Sequence, residues 1–224
     1  MMMAEATNHY FKHLGVSDGL SQVCIPSIYQ DELGAVWLGT TEGLNRYNGK
    51  DVRVFQPSES NHGLTNNEIN ELCGDKNGRM YIRSGNDLIK LDIYTEQFTC
   101  LRQKGVYGLF CKKDTLWVSC ADGIYYYTGQ GTELTFFARV QKGFVGRALY
   151  VDKETVWVVT RKYLVAISRE DPLRQEILLT LDKGNCILGD SSGNIWVGAW
   201  NGLYRVSPLS LIHISEPTRH SLIS

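Results

Sequence analysis

Apolar positions along the chain come in short runs broken by Asp, Asn, Gly and charged turn residues, and one run sets the pattern for the rest. In Trp37-Leu38-Gly39-Thr40-Thr41-Glu42-Gly43-Leu44 an aromatic is followed seven residues later by an aliphatic. The spacing returns at Tyr81 to Leu88, Trp117 to Ile124, Trp157 to Leu164 and Trp196 to Leu203. The leading aromatics stand 44, 36, 40 and 39 residues apart, a period that points to a solenoid, an array or a propeller. Side-chain alternation puts Trp37, Gly39 and Thr41 on one face of a strand and Leu38 and Thr40 on the other. Apolar residues on both faces predict sheets stacked on each side.

Each repeat reads as four antiparallel strands. In the first unit Pro26 to Gln30 is a strand and Asp31-Glu32-Leu33-Gly34 a tight turn. Ala35 to Thr40 and Leu44 to Tyr47 follow, then the hairpin dipeptide Asn48-Gly49 and a strand at Asp51 to Phe55. The predicted class is all-β: a propeller of four-stranded antiparallel blades, about five present, read as a truncated seven-bladed ring. Blades are expected at about 26–56, 68–101, 105–138, 146–180 and 185–206, the last with three strands. His9 to Leu14 is expected to be an outer strand of the closing blade, behind a disordered stretch at 1–8. An open ring would leave apolar faces on blades one and five, so poor solubility is expected. Gly43, Gly123 and Gly202 permit the turn into the third strand; Asp87 and Tyr163 replace that glycine in units two and four. Tyr tolerates positive φ poorly, so the fourth turn must differ.

Composition narrows the function classes. The 23 basic and 24 acidic residues leave a formal charge of −1, so nothing favours binding of nucleic acid or an anionic membrane surface. Six cysteines (24, 73, 100, 111, 120 and 186) form no C-x-x-C pair and read as buried free thiols, since several fall at core positions of strands. No apolar run reaches the roughly 20 residues of a membrane helix. The first residues show no signal peptide as written. Leu209 to Ser224 reads as the translation of a transposon end and adapter used in sequencing libraries, a non-native tail.

The pattern Asp31-x-x-Gly34-x-Val36-Trp37-Leu38-Gly39-Thr40-x-x-Gly43-Leu44-x-Arg46-Tyr47 resembles the two-component regulator propeller repeat. The opening phrase ending Asp18-Gly19-Leu20-Ser21, and Gly63-Leu64-Thr65-Asn66-Asn67, are also similar to that family. The resemblance runs from Tyr10 to about Val206, strongest in units one and five. It implies the periplasmic sensor of an inner-membrane hybrid histidine kinase, working as a homodimer and recognising an oligosaccharide or other small molecule. Kinase, receiver and DNA-binding modules would lie outside this chain, so no enzymatic activity and no cofactor are expected of it. The competing classes are a propeller lyase or hydrolase and a protein-interaction scaffold.

Loops joining strands two and three should emerge on one face, carrying Thr41-Glu42, Asn86-Asp87, Ala121-Asp122, Arg161-Lys162 and Trp200-Asn201. A sugar site needs an aromatic platform with polar neighbours. Trp200, the one Trp outside a repeat position, is the candidate platform, with Asn201, Arg161 and Lys162 as partners and Thr41 and Glu42 as counterparts. The plainer reading packs Trp200 on the adjacent blade and leaves the charges solvated. Tyr125-Tyr126-Tyr127 reads as core packing rather than a platform. Asp31, Asp75 and Asp190 read as turn formers rather than metal ligands, and His9, His13 and His62 lack metal spacing.

Overall fold

The computed structural model describes residues 12–57 and 63–207. Among these residues nineteen strands form five antiparallel sheets in chain order. Blade one comprises β1 (Ser27–Gln30), β2 (Val36–Thr40), β3 (Gly43–Tyr47) and β4 (Val52–Phe55). Blade two comprises β5 (Ile69–Gly74), β6 (Arg79–Ser84), β7 (Asp87–Asp92) and β8 (Gln97–Arg102). Blade three holds β9 (Val106–Lys112), β10 (Thr115–Cys120), β11 (Gly123–Tyr127) and β12 (Thr135–Ala138). Blade four holds β13 (Gly146–Val151), β14 (Thr155–Thr160), β15 (Tyr163–Ser168) and β16 (Gln175–Thr180). Blade five has three strands among the described residues, β17 (Gly184–Gly189), β18 (Ile195–Ala199) and β19 (Gly202–Val206). The first strand of each blade contacts the first strand of the next, so these strands lie innermost, around the propeller axis.

The repeat aromatics explain why the sheets stack. Trp37, Tyr81, Trp117 and Trp157 lie in four separate cores, each with the aliphatic seven residues on: Leu44, Leu88, Ile124 and Leu164. The opposite wall of each core is the second strand of the following blade, through Ile82, Val118, Val158 and Val197. One face of β2 thus meets blade two, and the opposite face of β6 receives it. Burying each large side chain contributes about 1.5–3 kcal/mol. In blade five the pattern continues with no cover among the described residues. Leu203 is 64% exposed where its four counterparts are fully buried, and Leu188 is equally exposed.

The turn aspartates do more than shape their turns. Asp31 is buried; its Oδ1 accepts from the Leu33 and Ala35 amides at 3.0 and 2.9 Å. Its Oδ2 accepts from Trp37 Nε1 at 2.8 Å. Asp152 holds Trp157 Nε1 at 2.7 Å and Asp190 holds Trp196 Nε1 at 2.9 Å in the same manner. Blade two has Tyr81 in place of Trp, and there Asp75 pairs with the Arg79 guanidinium. In blades one, four and five the carboxylate therefore fixes both the first hairpin and the repeat indole.

Several expectations change in detail. Lys12 to Leu14 form no strand, and Lys12 Nζ lies 3.1 Å from Tyr47 Oη on blade one; residues 9–11 lie outside the described residues. The segment after them runs over blade one, where the Ser21 amide donates to Asn45 Oδ1 at 2.9 Å. The cysteines are all free, but only Cys120 is buried and Cys24 and Cys186 are exposed. Cys186 sits at the axial side of β17, where alternation aims it away from the core. Gly43 and Gly202 take φ of 123° and 141°, whereas neither Asp87 nor Tyr163 adopts positive φ. The fourth turn is closed by Thr160 Oγ1, which accepts from the Tyr163 amide at 2.8 Å. Tyr127 is buried in the core, and Tyr125 donates its hydroxyl to Asp122 at 2.8 Å. The 1–8 stretch, His9, His62 and the 209–224 tail lie outside the described residues.

Asp31→Ala would strand one indole and two amide donors in a buried turn. A loss of roughly 3 kcal/mol is expected, since an unpaired buried donor costs about 1–3 kcal/mol. Urea unfolding measures it, and a midpoint within error of the parent would refute the anchoring role. Asp190 supplies a pH signature. Hydrogen bonds from Trp196 and Asn194 hold its carboxyl down to about 2, below the usual value of about 4. Its stabilisation is complete above the unfolded-state value and is lost as pH falls from about 4 towards 2. Asp190→Asn should flatten that part of the stability–pH curve; parallel curves for the two proteins would contradict it.

Candidate functional site

The turns between second and third strands leave the propeller at the end where each innermost strand begins. There the register of four blades shifts by one residue. In blade two Ile69 pairs Ser84 and Glu71 pairs Arg83, leaving Asn70 unopposed. In blade three Val106 pairs Cys120 and Gly108 pairs Ser119, leaving Tyr107. Arg147 and Asn185 are the unopposed residues of blades four and five. A bulge of this kind re-aims one side chain and sharpens the local twist. All four bulged residues line one cavity of about 630 Å³ on the axis, which the first strands of all five blades enclose.

Glu71 is the titratable centre of that cavity. Its Oε2 accepts from Arg83 Nε at 3.3 Å and from the Leu109 amide of blade three at 3.1 Å. Burial pushes the carboxyl up to about 7, against the opposing pull of Arg83 and the amide. Asn70 Nδ2 donates to the Gly85 carbonyl at 3.2 Å, and Asn86 O accepts from the Val106 amide at 3.0 Å, which tie the rim together. The Arg147 guanidinium lies over the Tyr107 ring, 6.0 Å from its centroid.

A second cavity of about 520 Å³ adjoins the first between blades four and five. Arg147, Asn185 and Cys186 line both. Arg161 and Trp200 complete its outer wall, and Lys183 Nζ sits 4.8 Å from the centre of the Trp200 ring. Trp200 is 78% exposed, and its backbone N–H donates a hydrogen bond to the Asp182 carbonyl at 2.9 Å. The indole therefore stands in solvent rather than packing on a neighbouring blade, and Arg161 and Lys162 are exposed as the plainer expectation has them.

Of the residues expected to form a site, the structure brings together Arg161 and Trp200. Lys162 lines two neighbouring cavities, one with Tyr107 and Arg147 and one with Asp182 and Lys183. Asn201 is exposed in the same turn as Trp200 but lines none of these cavities. Thr41 and Glu42 belong to blade one and line none either; the Glu42 carbonyl accepts from Gln56 Nε2 at 2.8 Å, a local tie. Arg147, Lys183, Asn185, Tyr107 and Glu71 were not anticipated. Their shared signal is position: each lies within two residues of where a blade begins.

Among the described residues no group of His, Cys, Asp and Glu converges as metal ligands would. No helix there is long and apolar enough to cross a membrane. The chemistry offered is recognition: aromatic surface, amides and guanidinium groups around two joined cavities.

Residues 19–42 match the family described as two component regulator propeller. A stretch of 55 residues is 36% identical to histidine kinase P4 of Formosa agariphila, covering 25% of this chain and 4% of the kinase. The extracellular domain assigned to a hybrid two component system of B. thetaiotaomicron superposes with a TM-score of 0.77 at 23% identity. That match covers 88% of this chain and 30% of the other, so the chain spans under a third of that relative. Streptogramin B lyase has the same fold at a TM-score of 0.65 and 16% identity, covering 86% of this chain and 69% of the lyase. The chain thus has the fold of a β-propeller, and its first blade carries a repeat that matches the two component regulator propeller.

Proposed function

We propose that this chain is a ligand-sensing propeller domain of a hybrid two-component signalling receptor. In this reading it lies on the periplasmic side of an inner-membrane protein, recognises an oligosaccharide, and regulates a histidine kinase carried elsewhere in the parent. The observation that carries it is the exposed Trp200 indole set beside Arg161 and Lys183 over a cavity. An indole face and flanking donors suit a sugar ring, which offers C–H surface on one side and hydroxyls at its edge. The resemblance of the repeat, and the likeness in fold to an extracellular two-component domain, support the signalling context. Signalling then requires the ligand to bind one arrangement of a sensor homodimer more tightly than another.

Streptogramin B lyase, with the same fold, favours a second reading: an enzyme acting at the channel mouth. Glu71, with its carboxyl near 7, is the residue positioned for proton transfer there. Turnover of an oligosaccharide by the purified chain, abolished in Glu71→Gln, would favour the enzyme over the sensor.

Titration of an oligosaccharide panel by calorimetry tests the sensing site. Covering an apolar side chain of this size is worth about 1.5–3 kcal/mol. Trp200→Ala should therefore weaken binding by roughly ten- to a hundredfold while leaving the unfolding midpoint unchanged. Unaltered affinity in that variant would remove Trp200 from the site.

A further inference from the structure

The chain as a whole is almost neutral, yet its loop face between blades three, four and five is not. The cavities between blades three, four and five carry Arg147, Arg161, Lys162 and Lys183, against a single lining carboxylate, Asp182. Among the described residues none of these four cations forms an ion pair, whereas Arg46, Arg53, Arg79, Arg83 and Arg102 all do. Arg161 lines all three of these cavities, and Arg147 is the cation that also reaches the axial one. Arg147 lines the Trp200 cavity, the axial cavity and the smaller cavity against Tyr107 and Phe144. The bulge in β13 puts it there, since the regular pairing of Gly146 and Ala148 with β14 passes it by. The one carboxylate in the axial mouth, Glu71, is already engaged by Arg83 and the Leu109 amide.

Unpaired guanidinium and ammonium groups around a concave surface focus positive potential where a ligand enters. A guanidinium fork matches carboxylate and sulfate oxygens in bidentate fashion and gains little from a neutral hydroxyl. We propose that the ligand of this face is an acidic oligosaccharide, whose carboxylate or sulfate is received by Arg147 while a sugar ring covers Trp200. This rests on the reading of the face as a saccharide site and adds the charge class and the residue that selects it. Arg161 and Lys183 flank the anion. The shared lining of the two cavities by Arg147 and Asn185 lets one chain extend from the indole towards the axis.

Three probes decide it with the whole 224-residue chain: a galacturonate oligomer, a sulfated galactan oligomer and a neutral galactan oligomer of equal length. One acidic oligomer is expected to bind, with affinity falling as salt rises, and the neutral one to bind at least about tenfold more weakly. Arg147→Gln should reduce the acidic affinity to near the neutral level, and Lys50→Gln, on blade one, should not. Preference for the carboxylate or the sulfate identifies which anion is read. Equal binding of neutral and acidic oligomers, unaffected by Arg147→Gln, overturns the charge inference and leaves the saccharide site standing. Failure of all three to bind overturns both. Unfolding curves of the two variants that match the parent keep a loss of binding from being a loss of fold.

Discussion

The structure depends on one contact repeated around the axis: an aromatic ring on the second strand of a blade, pressed into the second strand of the next. Neither sheet face is covered by its own blade, so every blade relies on a neighbour to remove apolar surface from water. The ring must also be held at a fixed height, and in blades one, four and five a turn carboxylate takes its indole N–H. A buried indole N–H without a partner would offset much of the gain from burial. The carboxylate accepts from turn amides as well, so hairpin geometry and inter-blade packing are set by one residue.

That arrangement confines the residues that repeat the fold to one end of each blade. The aromatic and the turn aspartate lie towards one end of β2 and its counterparts, and the bulges and second hairpin turns at the other. The bulged end is free of the constraint that repeats the fold. Asn70, Tyr107, Arg147 and Asn185 occupy the same structural position in four blades, yet they are four positions of three residue types with different chemistry. A bulged residue makes no regular ladder pair and enters no inter-blade core, so its identity can change without cost to either. Glycine serves this end by proximity. A Cβ on Gly108 would stand 2.7 Å from the Arg147 carbonyl, so the β9 backbone approaches β13 beside the site and fixes where Arg147 begins.

The fold was legible because it rests on periodic features. Trp37, Tyr81, Trp117, Trp157 and Trp196 recur at nearly constant spacing, and alternation assigns them a face. What the spacing does not contain is the bond between Asp31 and Trp37, six residues apart, because it depends on the shape of the intervening turn. Trp200 was legible as a departure from the repeat. Thr41 and Glu42 were chosen as its structural counterparts, but equivalence in a repeat places residues in different blades, and blade one does not border this cavity. Arg147 was invisible for a related reason. A bulge changes pairing without changing composition, and Gly146-Arg147-Ala148 reads as an ordinary strand start until its register with Thr160 and Val159 is known.

The same reasoning bears on how binding at this face connects to the body of the propeller. Arg147 belongs to blade four, Asn185 and Trp200 to blade five, and Arg161 and Lys183 to the turn and the connection between them. A ligand touching all of them spans an interface whose other half is the core around Trp157, Leu164 and Val197. Packed cores resist continuous deformation, so a ligand bound there would act on the relation between the two blades rather than on either sheet. Blade five is also the blade whose far face, at Leu188 and Leu203, is uncovered among the described residues. It is gripped on one face only, with Trp196 held by Asp190 but not enclosed as Trp37 is. A site that bridges blade four to blade five would therefore join a blade packed on both faces to one packed on a single face among the described residues.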